Sequence, residues 1–451
     1  MHVRLRRILA TTAFRGVIAA VATSFALSAH AQTVTLAEAA DLMQTTELQY
    51  EILDLEEAVA AEVTRQARGQ RLPRVRLSVS YIQTQQDIVN QDNEAFQEGT
   101  SSYPTTTFSL AATQPIYDAV RFRALPLARA EEEVISLQAE AARMELTNLM
   151  VAAYLNVARA QLQIDQASAV LRVRTQFERD LGILVSAGRA DAERQLRAQG
   201  DIFAARADQS DAEIDLVEAL FELQRFIGPA VDGVAYRSGV GVANLSSFLG
   251  TFTPDRLNEL NPGIQIARAE LAVAESRLRR TRGAYQPTAN LTLEFEDQTT
   301  EGSLFGGGSQ VQSTEIGIQL DWSIYEGGVR RSQVREAQRR VEIAMLRVAQ
   351  AEELAQRRYV ALTEVLESAL AVVAANAQDG RVASERVQVA QEQLDAGRGS
   401  LEPLLEAQLR RDTLVLRAQS VRMRAVGYQA QLYALFGALD IDTLSQDFSG
   451  G

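Results

Sequence analysis

The sequence predicts a mainly α-helical protein with a transmembrane β part, built as an internal duplication. Three observations carry this. First, the stretch from about Val329 to Ala396 holds no proline, one interior glycine (Gly380) and a countable heptad pattern. With Val334 as an a position, the a set is Val334, Val341, Val348, Ala355, Leu362 and Ala369. The d set is Ala337, Ala344, Ala351, Arg358, Val365 and Val372, with Arg358 as its only break. Small and β-branched residues in such a seam let helices approach closely, and roughly 65 residues at 1.5 Å each make a helix on the order of 100 Å long. Second, short segments alternate apolar and polar with a period of two, the mark of half-buried strands. Third, the whole pattern occurs twice.

The first element is a secretory signal. Arg4, Arg6 and Arg7 form a basic start, Val17–Ala22 and Phe25–Leu27 an apolar run, and Ala29-His30-Ala31 a small-residue cleavage site. Arg15 interrupts the run and leaves it too short to span a bilayer, so the mature chain is expected to start near Gln32. Residues 32–228 then form a first repeat, 229–253 a linker, 254–437 a second repeat and 438–451 a tail.

The repeat is read from residues in matching order. Gly69-Gln70-Arg71-Leu72-Pro73 followed by Leu77, Val79 and Tyr81 returns as Gly283-Ala284-Tyr285-Gln286-Pro287 followed by Leu291, Leu293 and Phe295. Ile116-Tyr117 returns as Ile324-Tyr325, and Ala187-Gly188-Arg189 as Ala396-Gly397-Arg398. In each half a helix (about 36–70, then 255–285) stops at glycine and proline, as helices do. An alternating strand follows, then a polar loop (Gln83–Thr106, Asp297–Ser313) and a second strand. A long helix starts near Val120 or Val329 and runs to the Ala-Gly-Arg turn, and a shorter helix (about 191–227 and 401–436) returns. Asp191 and Ser400 are placed to cap the returning helices, with Glu193 and Glu402 favoured in their first turns by the helix dipole. Prolines are expected only at boundaries or in first turns.

Composition excludes several functions. The formal charge is −13 and every base is Arg, which argues against a nucleic-acid partner. There is no cysteine, no lysine, and both histidines (His2, His30) lie in the signal segment. Ser-His-Asp and Cys-His catalysis, Schiff-base chemistry and His/Cys zinc sites are thereby ruled out of the mature chain, and neither enzyme activity, a metal nor a cofactor is expected. Gly306-Gly307-Gly308 lacks the lysine a phosphate loop needs.

Strands of about ten residues with period two suit a transmembrane barrel, apolar to lipid and polar to the lumen. Tyr103, Phe108, Tyr117, Trp322 and Tyr325 sit near strand ends, where interfacial aromatic girdles occur. Trp322 and Tyr117 are expected on the face of Ile318, Leu320 and Leu110. The alternative is a half-buried soluble hairpin; if the strands are inserted in lipid, which tolerates no open edge, four cannot close a barrel and several chains must share one.

The duplicated order resembles the TolC family of outer-membrane efflux and secretion channels. The segments that carry the resemblance are Gln114-Pro115-Ile116-Tyr117-Asp118, Ile324-Tyr325-Glu326-Gly327-Gly328 with Val329-Arg330, and Asp395-Ala396-Gly397 leading to Leu404-Leu405-Glu406-Ala407. It covers essentially the whole mature chain. The resemblance implies a homotrimer with four strands per protomer in a shared 12-stranded β-barrel, above a coiled-coil α-helical periplasmic tunnel. It implies a channel whose tip coiled coils open like an iris. It also implies two partners, a periplasmic adaptor (membrane fusion) protein and an inner-membrane transporter.

In the family, acids just after the second tip ring the pore: Glu406 matches one such position, and Pro403 stands at the other, with Glu402 beside it. The family's tip arginine matches Gly399, which leaves Arg398 as a shifted candidate. Gly188, Arg189, Gly397 and Arg398 are the expected tip turns and adaptor-docking positions. A periplasmic coiled-coil adaptor or scaffold is the alternative, but it would show one hairpin rather than two long-helix hairpins with two strand pairs.

Overall fold

A computed structural model describes residues 32–88, 99–229, 231–236, 252–302, 307–439, 441 and 444. The signal segment, most of the 229–253 linker, Gly306 and Ser445–Gly451 lie outside these residues. The order begins with β1 (Gln32–Val34), α1 (Leu36–Thr46) and α2 (Leu48–Gly69). A hairpin of β2 (Arg74–Ile88) and β3 (Gly99–Tyr117) leads to α3 (Ala119–Phe122), α4 (Ala124–Ser186) and α5 (Ala192–Ile227). After β4 (Val231–Val234) come α6 (Pro254–Leu260), α7 (Pro262–Gly283), a second hairpin of β5 (Thr288–Thr300) and β6 (Ser309–Asp321), α8 (Val329–Asp395) and α9 (Leu401–Leu435). Helix, hairpin, long helix and return helix thus occur twice.

Each long element has a readable cause and some have breaks the sequence reading missed. The helix expected over 36–70 is split at Glu47, whose ψ of 108° is extended. Just before it, the Thr45 hydroxyl bonds back to the carbonyl of Leu42 at 2.9 Å, a local alternative to the helix ladder. The helix expected over 255–285 is split at Asn261, because a residue before proline is pushed out of the α region; its ψ is 122°. Asn261 then caps α7 from Ile264 N at 3.0 Å and donates to the Leu435 carbonyl at 2.7 Å. The first long helix is interrupted at Arg123. Pro126 brings no N–H to the Phe122 carbonyl, and the Arg71 guanidinium occupies that acceptor instead.

The two expected polar loops are shorter than read. Strand pairing continues from Ile82↔Thr105 out to Ile88↔Gly99, and from Asp297↔Gln312 to Thr300↔Ser309. Threonine-rich backbone favours the pleat even where most side chains are polar, and composition alone concealed it. Pro104 therefore lies inside β3, against the expectation for prolines. It lies beyond the last β3–β5 pair, Thr105↔Thr300, where its missing N–H interrupts no ladder while its carbonyl still accepts from Glu301 N at 3.1 Å.

The helices form one layer. Near the sheet the order is α2–α4–α7–α8; away from it the order is α5–α4–α9–α8. The heptad seam of α8 holds as read through Ala337, Val341, Ala344 and Ala355, all buried. It then shifts: Arg358, Val365 and Val372 are exposed, while Tyr359, Leu366 and Asn376 turn inward. Two four-residue steps in succession (Ala351 to Ala355 to Tyr359) absorb the drift of a 3.6-residue helix against a 3.5 repeat. The shift coincides with the change of neighbour from α7 to α9.

Two cores hold the middle of the layer. In one, β1 pairs parallel with β4, and buried Tyr154 donates to the carbonyls of Ala235 at 2.6 Å and Val34 at 3.2 Å. Burial pushes the Tyr154 phenol well above its usual range. The other packs Phe252, Leu257, Ile264, Leu366, Leu432 and Phe436 where α6–α7 meet α8 and α9.

Candidate membrane band and tip aperture

The sheet order is β2-β3-β5-β6, antiparallel throughout, so residues in register share a face. One face carries Val75–Ala112–Leu293–Ile316 and Leu77–Leu110–Phe295–Thr314 in successive rows. Toward the helices this face continues through Leu291–Ile318 and Ala289–Leu320. Toward the hairpin tips it passes the Phe108 row and turns polar, where Asp297 accepts from Gln310 and Gln312 at 3.1 and 2.9 Å. From Leu320 to Gln312 the band measures ~27 Å along the strands, which at a barrel tilt of ~40° is ~21 Å of height, comparable with the ~25 Å band of an outer-membrane barrel.

Aromatic residues stand at both limits. Phe108 marks the outer end, with Tyr81 in the next row, a residue the sequence reading left out of the girdle although it continues the Val75-Leu77-Val79 alternation. Tyr117 marks the inner end by an indirect route. Strict alternation along β3 would put it opposite Leu110; a bulge between Pro115 and Tyr117 moves it across from Ala289, onto the apolar face. Trp322 follows β6 and donates its indole N–H to the Tyr285 carbonyl at 3.2 Å. Tyr325 beyond it is 86% exposed. Tyr103 shares the opposite face with Thr105 and Thr107 and lies against Gly302.

The opposite face is polar and charged. Arg74 and Arg76 stand on β2, Ser78–Ser109–Glu296–Ser313 form one row, and Ala111–Glu294–Glu315 continue the row of Arg76.

At the far end of the layer the two tips are built alike. Arg189 N bonds to the Leu184 carbonyl and Gly188 N to that of Val185, at 2.8 and 2.9 Å; Arg398 N to Gln393 and Gly397 N to Leu394 repeat this at 2.9 Å each. Each is the reciprocal pair of bonds that closes a helix through a left-handed residue, and φ is 68° at Gly188 and 66° at Gly397. A side chain at either position would strain the turn. Arg189 and Arg398 are exposed beside them.

The returning helices differ. Asp191 caps α5 from Glu193 N at 3.1 Å, and Glu193 pairs with Arg197. Ser400 occupies the N-cap position of α9 but makes no side-chain cap, against expectation. Glu402 forms an ion pair with Arg194 of α5, whose guanidinium also lies over the Phe177 ring. This bond joins the two hairpins within one chain. Arg194 was missed; it follows Glu193 directly and is the repeat counterpart of Pro403. Glu406, one turn further on, is exposed and lines a groove of ≈ 780 Å³ with Arg386, Arg410 and Arg174. The two acids are therefore unequal: Glu402 is tied, and Glu406 forms no ion pair among the described residues.

A model of the outer membrane efflux protein family matches residues 52–229 and 253–438. Outer membrane protein TolC of Escherichia coli strain K12 is 26% identical over 301 residues, 62% of this chain. The match spans 57% of TolC, little more than half the length of that relative. The fold is similar to the CmeC outer membrane channel of Campylobacter jejuni, with a TM-score of 0.74 at 14% identity over 92% of this chain and 89% of that one. It is also similar to the open state of the MtrE outer membrane channel of Neisseria gonorrhoeae, with a TM-score of 0.72 at 17% identity over 90% and 89%.

Two outcomes follow from this geometry. The single tryptophan, Trp322, is expected to be quenched by bilayer-confined quenchers in proteoliposomes; quenching by aqueous iodide alone would contradict its place at the band's inner limit. On the sequence expectation that Glu406 lines a pore entrance, Glu406→Ala in planar bilayers is expected to reduce cation preference and trivalent-cation block on the order of ten-fold, because a focused carboxylate field is lost. Glu402→Ala, whose charge Arg194 already offsets, is expected to do less. Unchanged selectivity and block in the double variant would remove both acids from the aperture.

Proposed function

This chain belongs to the outer membrane efflux protein family, with its place in the bacterial outer membrane and a large periplasmic portion, and from that premise we propose that it is a trimeric exit duct. In this reading three copies pool their strands into one 12-stranded barrel, and their helices continue it as a tunnel. A periplasmic adaptor and an inner-membrane transporter dock at the Gly188 and Gly397 tips and feed drugs or secreted proteins into it. The aperture at Glu402 and Glu406 opens by an iris-like motion of the tip hairpins, and the duct does no chemistry of its own. The matching halves, 32–228 and 254–437, are read as a duplication joined by the 229–253 linker.

One observation carries the proposal: the sheet and the helix layer are unpaired on the same two sides. β2 is the free edge of the sheet, and α2 and α5 are the free edge of the layer below it. β6 and α8 form the other side. Both helical edges present exposed apolar stripes: Leu48, Ile52, Leu55 and Val59 on α2, Ile214, Val217 and Phe221 on α5, and Leu346, Val365, Val372 and Val389 on α8. Edge strands in lipid must be paired, and such stripes in water must be covered. A copy placed head to tail satisfies both at once, and such contacts close into rings. Twelve strands fall between the ~8 whose side chains fill a barrel and the 16–18 that leave a wide channel, so a lumen remains open.

Light scattering of the detergent-solubilised protein is expected to give the mass of three chains. A folded monomer with native helix content would overturn the proposal.

A further inference from the structure

The four-stranded sheet is electrically lopsided. On its polar face the described residues place both arginines, Arg74 and Arg76, on the edge strand β2. The acids of that face, Glu294, Glu296, Glu315 and Asp321, all lie on β5 and the opposite edge strand β6. The strand between, β3, carries no charge from Gly99 to Tyr117. Arg76 has Ala111 as its row neighbour and reaches an acid only two strands away. Arg74, Arg76 and Glu315 are exposed and form no ion pair among the described residues. One edge is thus positive and the other negative, on the same face and in the half of the sheet nearer the helices.

From this charge placement, and resting on the exit-duct reading, we propose that the seam between neighbouring copies is an ion-pair seam on the lumen face. Arg74 and Arg76 of one copy lie opposite the acids of β6, Glu315 and Asp321, in the next. The partner is a second copy of this chain and no other. β6 runs antiparallel to β2, as the strand alternation through the sheet requires. A sheet closed on itself must be staggered along its strands, and that stagger decides which of the two acids meets the arginines. Two like edges, β2 on β2 or β6 on β6, would put equal charges opposite each other, which is unfavourable. The charges therefore enforce the head-to-tail order that a closed ring needs, while the apolar face of the same strands is indifferent to it.

The chain has no cysteine, so its seam can be tested with introduced pairs. Full-length protein carrying Arg76→Cys with Glu315→Cys, or Arg76→Cys with Asp321→Cys, is oxidised in outer membranes and run under denaturing conditions. One of the two pairs is expected to give covalent trimers. In parallel, Arg74→Glu/Arg76→Glu and Glu315→Arg/Asp321→Arg are each expected to lower trimer yield several-fold, and all four changes together to restore it. Trimers of the wild-type mass that ignore both reversals, or reversals the combined variant does not rescue, would overturn the seam and leave the duct standing. Failure of both cysteine pairs to cross-link in a protein that is trimeric by light scattering would do the same. A wild-type protein that forms no trimer would overturn the duct and the seam together.

Discussion

A backbone amide in hydrocarbon has no water to bond, and a sheet of four strands leaves two edges of such groups unpaired. The rest of the architecture depends on that constraint. The apolar rows from Val75 to Leu320 suit one face of β2-β3-β5-β6 to lipid, and nothing in the chain covers β2 or β6 among the described residues. The helices below inherit the problem. Because β2 follows α2 and β6 precedes α8, the unpaired sides of sheet and layer coincide, and one neighbour placed by rotation covers both. In the proposed trimer a protomer shaped this way is one segment of a tube.

In the proposed duct the long helices continue that rim as a tunnel. α8 is shared by two neighbours along its length, α7 near the sheet and α9 toward the tip, and its buried stripe shifts by one position between Ala351 and Tyr359 to serve both. α4 does the equivalent between α2, α7, α5 and α9, and is the more deeply packed of the two. The α8 side stays apolar and exposed within one chain, as the proposed contact with another copy requires. At the tips, a single ion pair between Arg194 and Glu402 joins hairpins that otherwise end as independent turns. Exposed ion pairs are worth about 0–1 kcal/mol, so this bond positions the hairpins and yields readily.

Much of this was legible in the sequence because it rests on period and order. The alternation from Val75 to Tyr81, the heptads from Val334 to Ala355 and the paired Ala-Gly-Arg turns all stand as read. What stayed hidden depends on partners distant in the chain. The Asn261 break is local and the proline beside it announces it. The strand extension through Gln83–Ile88 is not, because polar residues pair only once a ladder exists. Tyr117 reaches the apolar face through a bulge that no alternation count reveals. Glu402 looked like a free aperture acid because Arg194, its partner, lies in the other half of the chain.

The central claim is that β2 and β6 are edges only in the isolated chain. Hydrogen–deuterium exchange of the protein in lipid nanodiscs, read peptide by peptide, addresses it most directly. The account predicts that amides of Val75–Ile82 and Thr314–Leu320 are protected as strongly as those of the interior strands β3 and β5, at the full depth of the apolar band. Edge amides that exchange orders of magnitude faster than interior ones, in protein that is otherwise folded, would contradict it.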